Sequence, residues 1–363
     1  VTAELLLFRA PFEGTSMSIA RRFSRRSILG AAAVAATASL ALTGCVAGED
    51  SEATAAEGTG DGVLNIDFAT YNPLSLIIKE KGWLEATLAD DGVEVNWLQS
   101  AGSNKANEAL RSGAVDVGST AGSAALLARA NGSPIKTISL YSQPEWAALV
   151  TLPDSGIDSV EDLKGKSVAA TKGTDPYFFL LQSLEEAGLS ADDVTVENLQ
   201  HADGLTALKQ GSVDAWSGLD PIMAGAEQDG AELFYRNLDF NTYGFLNATE
   251  SFLQEEPELA QAVVNAYEKA RAWAAENPEE TAQILADVAG LDLEVATKVI
   301  TERSNLDVEA APGEKQRAVL EKVGPAFVET GDVKSQADID EALATLLDDS
   351  LVKKADPSVI KES

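Results

Sequence analysis

One cysteine, Cys45, and one histidine, His201, stand among the 363 residues. A lone thiol excludes a disulfide within the chain, and the pair is too few for a zinc site built from Cys and His. The HExxH, GxSxG and Walker patterns of hydrolases and nucleotide-binding proteins are missing too. Positive charge is scarce: 27 Lys and Arg stand against 58 Asp and Glu, a formal net charge of −31. Such a surface repels phosphate backbones and anionic head groups, so nucleic acid is excluded as a partner, and it suits an exported protein. No cofactor and no metal are implied, and a binding role is expected in place of catalysis.

What is present begins with an export leader. "RRFSRRSILGAAAVAATASLALTGC" joins an Arg-rich segment to an uncharged, Ala-rich stretch from Ser27 to Gly44. Ser, Thr and Gly interrupt that stretch, which marks it as a signal segment and not a permanent span. Ser24-Arg25-Arg26-Ser27-Ile28-Leu29 resembles the twin-arginine export motif, and Leu42-Thr43-Gly44-Cys45 resembles the bacterial lipobox. Residues 1–44 are therefore expected to be removed, with translation starting at Met17 and lipid carried on Cys45. Residues 45–62, small, polar and acidic, then read as a flexible tether.

From Val63 strands and helices alternate. "VLNIDFA", "VEVNWLQ", "VDVGS" and "IKTISLYS" read as strands with helical runs between them, a rhythm that implies a parallel sheet covered by helices. A second run repeats the order through "WAALVTL", "SVAAT", "VTVENLQ" and "VDAWSG". Helix–Gly–x–Val–Asp occurs in each, as "ALRSGAVD" and "ALKQGSVD". Gly113 and Gly211 are expected to end their helices in the left-handed conformation. Asp116 and Asp214 are expected to accept backbone N–H groups at a strand entrance. Beyond about Leu246 the pattern is helical, broken at Asn277-Pro278 and closed at Gly290.

The stretches "YNPLSLIIKEKGWLE", "NEALRSGAVDVGST", "DLKGKSVAATKGTDPYFFLLQSLEEAGL", "LTALKQGSVDAWSGLDP" and "NPEETAQILAD" span roughly 61–345. In this order, behind a lipobox, they resemble the periplasmic-type solute-binding proteins of ABC importers, in the branch for aliphatic sulfonates, taurine, nitrate and thiamine precursors. The resemblance implies an α/β fold of two lobes of the type II-like periplasmic-binding class, joined by two hinge strands and followed by a helical C-terminal region. It implies lobe 1 over residues 63–142 and 246–363, and lobe 2 over 143–245. It also implies hinge closure on a small ligand, delivery to an ABC permease, and a monomer held at the outer face of the cell membrane by the lipid on Cys45. A sulfonate- or taurine-like ligand is favoured. A thiamine-pyrimidine precursor or amine, a biosynthetic enzyme on the same fold, and a ligand sensor are the alternatives.

In open α/β sheets ligands bind beyond the carboxyl ends of the strands. Tyr71 and Asn72 follow the first strand, Ser100, Ser103 and Asn104 the second, and Ser119 and Thr120 the third. Tyr141 lies near a hinge. In the second run Thr171, Gly173, Thr174, Asp175 and Tyr177 follow "SVAA", His201 follows "VTVENLQ", and Trp216 and Asp220 follow the repeat strand. "SAGSNKAN" and "TKGTDPY" run into helix N-termini, whose free N–H groups suit an oxyanion. Asp175 and Asp220, beside Tyr71, Tyr177 and Trp216, would instead suit an ammonium group.

Overall fold

The computed structural model describes residues 62–363. The leader, Cys45 and the tether up to Asp61 lie outside the described residues. The chain starts with β1 (Val63–Phe68), α1 (Pro73–Glu80), α2 (Trp83–Leu88), β2 (Glu94–Gln99), α3 (Ser103–Ser112), β3 (Val117–Ala121), α4 (Gly122–Ala130) and β4 (Ile135–Ser142). It crosses to a second sheet through β5 (Ala147–Thr151), β6 (Ser167–Ala169), α5 (Asp175–Glu186), β7 (Thr195–Glu197), α6 (His201–Lys209), β8 (Ala215–Leu219), α7 (Ile222–Gln228) and β9 (Glu232–Tyr235). It returns at β10 (Gly244–Thr249). Helices α8 (Glu250–Glu255), α9 (Pro257–Glu276), α10 (Pro278–Ala289), α11 (Leu293–Lys298), α12 (Glu314–Glu329) and α13 (Gln336–Thr345) follow. A π-helical turn, Val299–Arg303, extends α11. Among the described residues no helix is long and apolar enough to cross a membrane.

Local chemistry sets the boundaries. Asn72 opens α1 by accepting Ser75 N at 3.3 Å, with Pro73 pre-shaped for the first turn. Gly82, at φ 60°, divides what the apolar periodicity suggests is one helix into α1 and α2. Gly113 and Gly211 adopt φ 71° and 69° past their helices, as the duplicated motif predicts. The Asp of each motif does the same job in each sheet. Asp116 Oδ2 accepts Asn65 N at 2.8 Å, and Asp214 Oδ2 accepts Ser167 N at 2.8 Å. Each carboxylate thus ties the strand after its helix to the neighbouring parallel strand.

The sheets are mixed, and here the expectation of parallel sheets is corrected. Their orders are β2-β1-β3-β10-β4 and β7-β6-β8-β5-β9. In the first, β10 runs antiparallel to β3 and β4; in the second, β5 runs antiparallel to β8 and β9. The antiparallel member of each sheet is the strand that enters it from the other. Alternation of strand and helix cannot reveal this, because these two strands follow a crossing and not a helix of their own sheet.

The two lobes are joined by the crossings at residues 143–146 and 236–243. A segment past the π-turn runs beside the first, with Gln143 N donating to Asn305 O (3.1 Å) and Glu145 N to Arg303 O (2.8 Å). On another side α5 of the second lobe meets α12, the Phe178 and Phe327 rings lying 4.3 Å apart. Leu64, Ile66, Leu74, Ile77 and Ile78 are fully buried under the first sheet's helices. Each such side chain contributes about 1.5–3 kcal/mol relative to exposure.

Candidate functional site

The strand ends of both sheets face each other across the seam between the lobes, and three groups of side chains meet there. At the hinge, Asp175 opens α5 and is 1% exposed. Its Oδ2 accepts Trp146 Nε1 (2.8 Å) and Thr242 N (2.7 Å), and its Oδ1 accepts Thr242 Oγ1 (2.8 Å) and Ser123 Oγ. Ser123 belongs to α4 of the first lobe, while Trp146 and Thr242 lie on the two crossings. Burial raises the Asp175 carboxyl above its usual range, and the four donors oppose that shift. With its acceptor positions filled from within the chain, Asp175 bolts the hinge, and no lone pair is left open for an ammonium group.

The second group surrounds Arg303, a residue the sequence reading missed. Its guanidinium, on the π-turn, meets Asp220 of the second lobe at 3.2 Å to both carboxylate oxygens and Glu227 Oε2 at 2.6 Å. Burial lifts Asp220 to about 6 against the pull of Arg303. Asp220 also accepts Ala224 N at 2.9 Å. Tyr71, Ser142 and Trp146 close around this pair, leaving about 10 Å³ between them. That is about the space of one water. π-Turns are frequent at functional sites, yet nothing local in "VITERSN" announces that its Arg reaches the other lobe.

The third group has polar atoms left over. His201 opens α6 in the second lobe and approaches Gly102, just before α3 in the first. A Cβ on Gly102 would lie 3.0 Å from His201 Nε2 and 2.9 Å from Asn104 Oδ1. Gly102 has φ 164°, extended backbone open to any residue, so glycine is needed there for space alone. Gly173, at φ 77°, packs against Asn104 from the second lobe. Asn104 Oδ1, Gln200 Oε1 and His201 Nε2 are all buried without a hydrogen-bond partner within the chain. Three such atoms on the two segments that meet at Gly102 are unusual, because buried polar groups are nearly always paired. Neither α3 nor α6 has a side-chain cap at its start, and the two helices begin beside the Gly102–His201 approach.

Burial alone depresses His201 to about 4. A base whose folded value lies below the unfolded 6.5 contributes stability that is present above pH 6.5 and lost as pH falls toward 4. The contribution is roughly 3 kcal/mol. Denaturation of the protein and of His201→Phe at pH 7.5 and 4.5 checks this. The difference between the two proteins is expected to change by that order, with the variant losing less on acidification.

The remaining sequence candidates are placed in structural roles. Asn72 caps α1 and donates to Tyr267 Oη at 3.0 Å. Ser103 accepts Ala121 N at 2.9 Å, and Gly102 occupies the cap position of α3. Ser119 donates to Asp67, a buried carboxyl that desolvation lifts to about 7. Thr120 Oγ1 receives Asn247 Nδ2, and Thr174 Oγ1 donates to Thr171 O. Tyr141 Oη donates to Thr120 O at 3.3 Å, and Tyr71 Oη to Ser119 O at 3.0 Å. Tyr177 sits under Lys172 Nζ, 5.5 Å from the ring centroid, in a groove between α5 and α12. Trp216 differs most from its expected place. Its indole packs into the second lobe's core against Gly204 of α6, in contact with Ala169 and Leu208, because β8 turns that position inward. Among the described residues no group of three or more His, Cys, Asp and Glu is arranged to hold a metal.

Two mixed sheets with matching strand orders, paired crossings and a closed polar seam define a two-lobed solute-binding protein of the periplasmic type. The chain belongs to the NMT1/THI5-like family, whose model matches residues 75–281. An Escherichia coli (strain K12) protein named for aliphatic sulfonate binding is 28% identical over 249 residues, covering 68% of this chain and 78% of the relative. A Bacillus subtilis (strain 168) protein of the same name is 29% identical over 235 residues, 64% of this chain and 70% of the relative. Among solved structures, the alkanesulfonate-binding protein of Xanthomonas axonopodis pv. citri bound to MOPS superposes with a TM-score of 0.71. It is 23% identical and covers 78% of this chain and 98% of that one, a likeness of fold. The curated relatives that match are binding proteins and not enzymes.

Proposed function

We propose that this protein is the extracytoplasmic solute-binding lipoprotein of an ABC importer, anchored through Cys45. In this reading it captures a small sulfonate-type anion or zwitterion by hinge closure and passes it to the permease. The observation that carries the reading is the approach of the α3 and α6 N-termini at Gly102 and His201. Neither helix has a side-chain hydrogen bond at its start, and such termini favour anions. The names of the curated relatives support the sulfonate class. The saturated carboxylates Asp175 and Asp220 weigh against a free amine as ligand.

Ligand free energy enters through its differential affinity for the closed state. A thermal-shift screen with short alkanesulfonates, taurine, nitrate, pyrimidine precursors and simple amines tests the ligand class. At about 100 times its dissociation constant a ligand adds roughly 2.7 kcal/mol to stability. A raised melting temperature with alkanesulfonates and taurine is expected. A shift confined to amines or pyrimidines would keep the binding role and reject the sulfonate class.

A further inference from the structure

Which ring nitrogen of His201 carries the proton follows from its neighbours. Thr171 Oγ1 donates its one proton to Leu199 O at 2.7 Å, so it can only accept from His201 Nδ1, 3.1 Å away. The imidazole is therefore the Nδ1–H tautomer, and Nε2 is a bare lone pair. That lone pair is buried, has no partner in the chain and points at Gly102 across the seam, beside Asn104 Oδ1. The charged residues on the surrounding elements are Lys105, Glu108 and Arg111 on α3, Lys172 on the loop before α5, and Asp203 and Lys209 on α6, and all six are exposed. Burial in neutral surroundings holds the ring uncharged.

An oxyanion at this seam meets opposed forces. The partial positive charges of the α3 and α6 N-termini attract it, while a bare acceptor in a dry site repels it. No free carboxylate balances that attraction, because Asp175, Asp220 and Asp67 already accept donors elsewhere. Protonation of Nε2 removes the conflict: the ring gains a positive charge, and the lone pair becomes an N–H donor aimed into the seam.

We propose that His201 takes up a proton from solvent when an oxyanion is captured, so that Nε2–H donates to the ligand and binding is proton-coupled. This rests on the sulfonate-type reading above. No covalent bond forms or breaks; the buffer loses one proton and the complex gains it. Affinity then rises as pH falls, by up to about tenfold per pH unit between the values at which the bound and free rings titrate.

Because the chain has a single histidine, untagged protein labelled with ¹⁵N-histidine reports on this ring alone. The probe is ethanesulfonate, which stays ionised throughout pH 5–8. Free protein at pH 6 is expected to show the Nδ1–H tautomer, and the complex an imidazolium with both nitrogens protonated. Calorimetry in two buffers of different ionisation enthalpy is expected to show uptake of up to one proton per site, absent in His201→Gln. If ethanesulfonate binds with Nε2 still unprotonated, or if proton uptake persists in His201→Gln, the proposal falls while the binding role stands. If neither ethanesulfonate nor any other sulfonate binds, both fall together.

Discussion

Replacing Asp175 by alanine is expected to lower the unfolding free energy by roughly 3–5 kcal/mol. Trp146 Nε1 and Thr242 N are buried donors in fixed directions, and each costs about 1–3 kcal/mol when left unpaired. The hydroxyls of Ser123 and Thr242 can turn to other partners, so they add less. Asparagine should fare little better, because its amide offers one oxygen where two sets of donors converge. Urea denaturation of both variants measures this, and a loss below about 1 kcal/mol would mean the carboxylate does not hold the hinge. The loss should also be visible as movement between the lobes, since the partners come from α4 and both crossings.

A larger side chain at Gly102 is expected to weaken capture without unfolding the protein. The backbone there suits any residue, but a Cβ would meet His201 and Asn104 from opposite sides of the seam. Alanine asks those side chains to give by a few tenths of an ångström, whereas valine adds two carbons where none fit. Gly102→Val should thus hold the lobes apart, and opposing closure by about 1.4–2.8 kcal/mol lowers affinity about 10–100-fold. Calorimetry with a short alkanesulfonate reads the affinity, and small-angle scattering reads the opening. Unchanged affinity with unchanged shape would show that the seam does not close on the ligand.

Much of this architecture is legible in the sequence because it depends on local rules. The repeated Gly–x–Val–Asp places a left-handed glycine after a helix and an acceptor at a strand entrance, and both lobes use it in the same way. The crossings fall near the residues where the strand–helix rhythm restarts, at 143–146 and 236–243. What the rhythm conceals is that β5 and β10 run against their neighbours, since direction is set by where the chain arrives from and not by any residue in the strand.

The candidate site divides along the same line. Its strand-end positions were open to prediction, because a ligand site at the carboxyl ends of α/β strands is a property of the topology. Which of those residues keep a free polar atom was not. Thr120, Ser103, Ser119 and Thr174 satisfy themselves within their own lobe, and Asp175 is claimed by donors from across the seam. Trp216, expected to contact ligand, fills the core under α6. Arg303 reaches the seam from a π-turn far along the chain. The sequence by itself determined the two α/β lobes, their repeated strand–helix units and the region where they meet, because propensity and periodicity act over a few residues. Only the tertiary structure decided which carboxylates are already paired and that one neutral imidazole is left facing a glycine. Such pairing depends on groups that approach through space from distant parts of the chain.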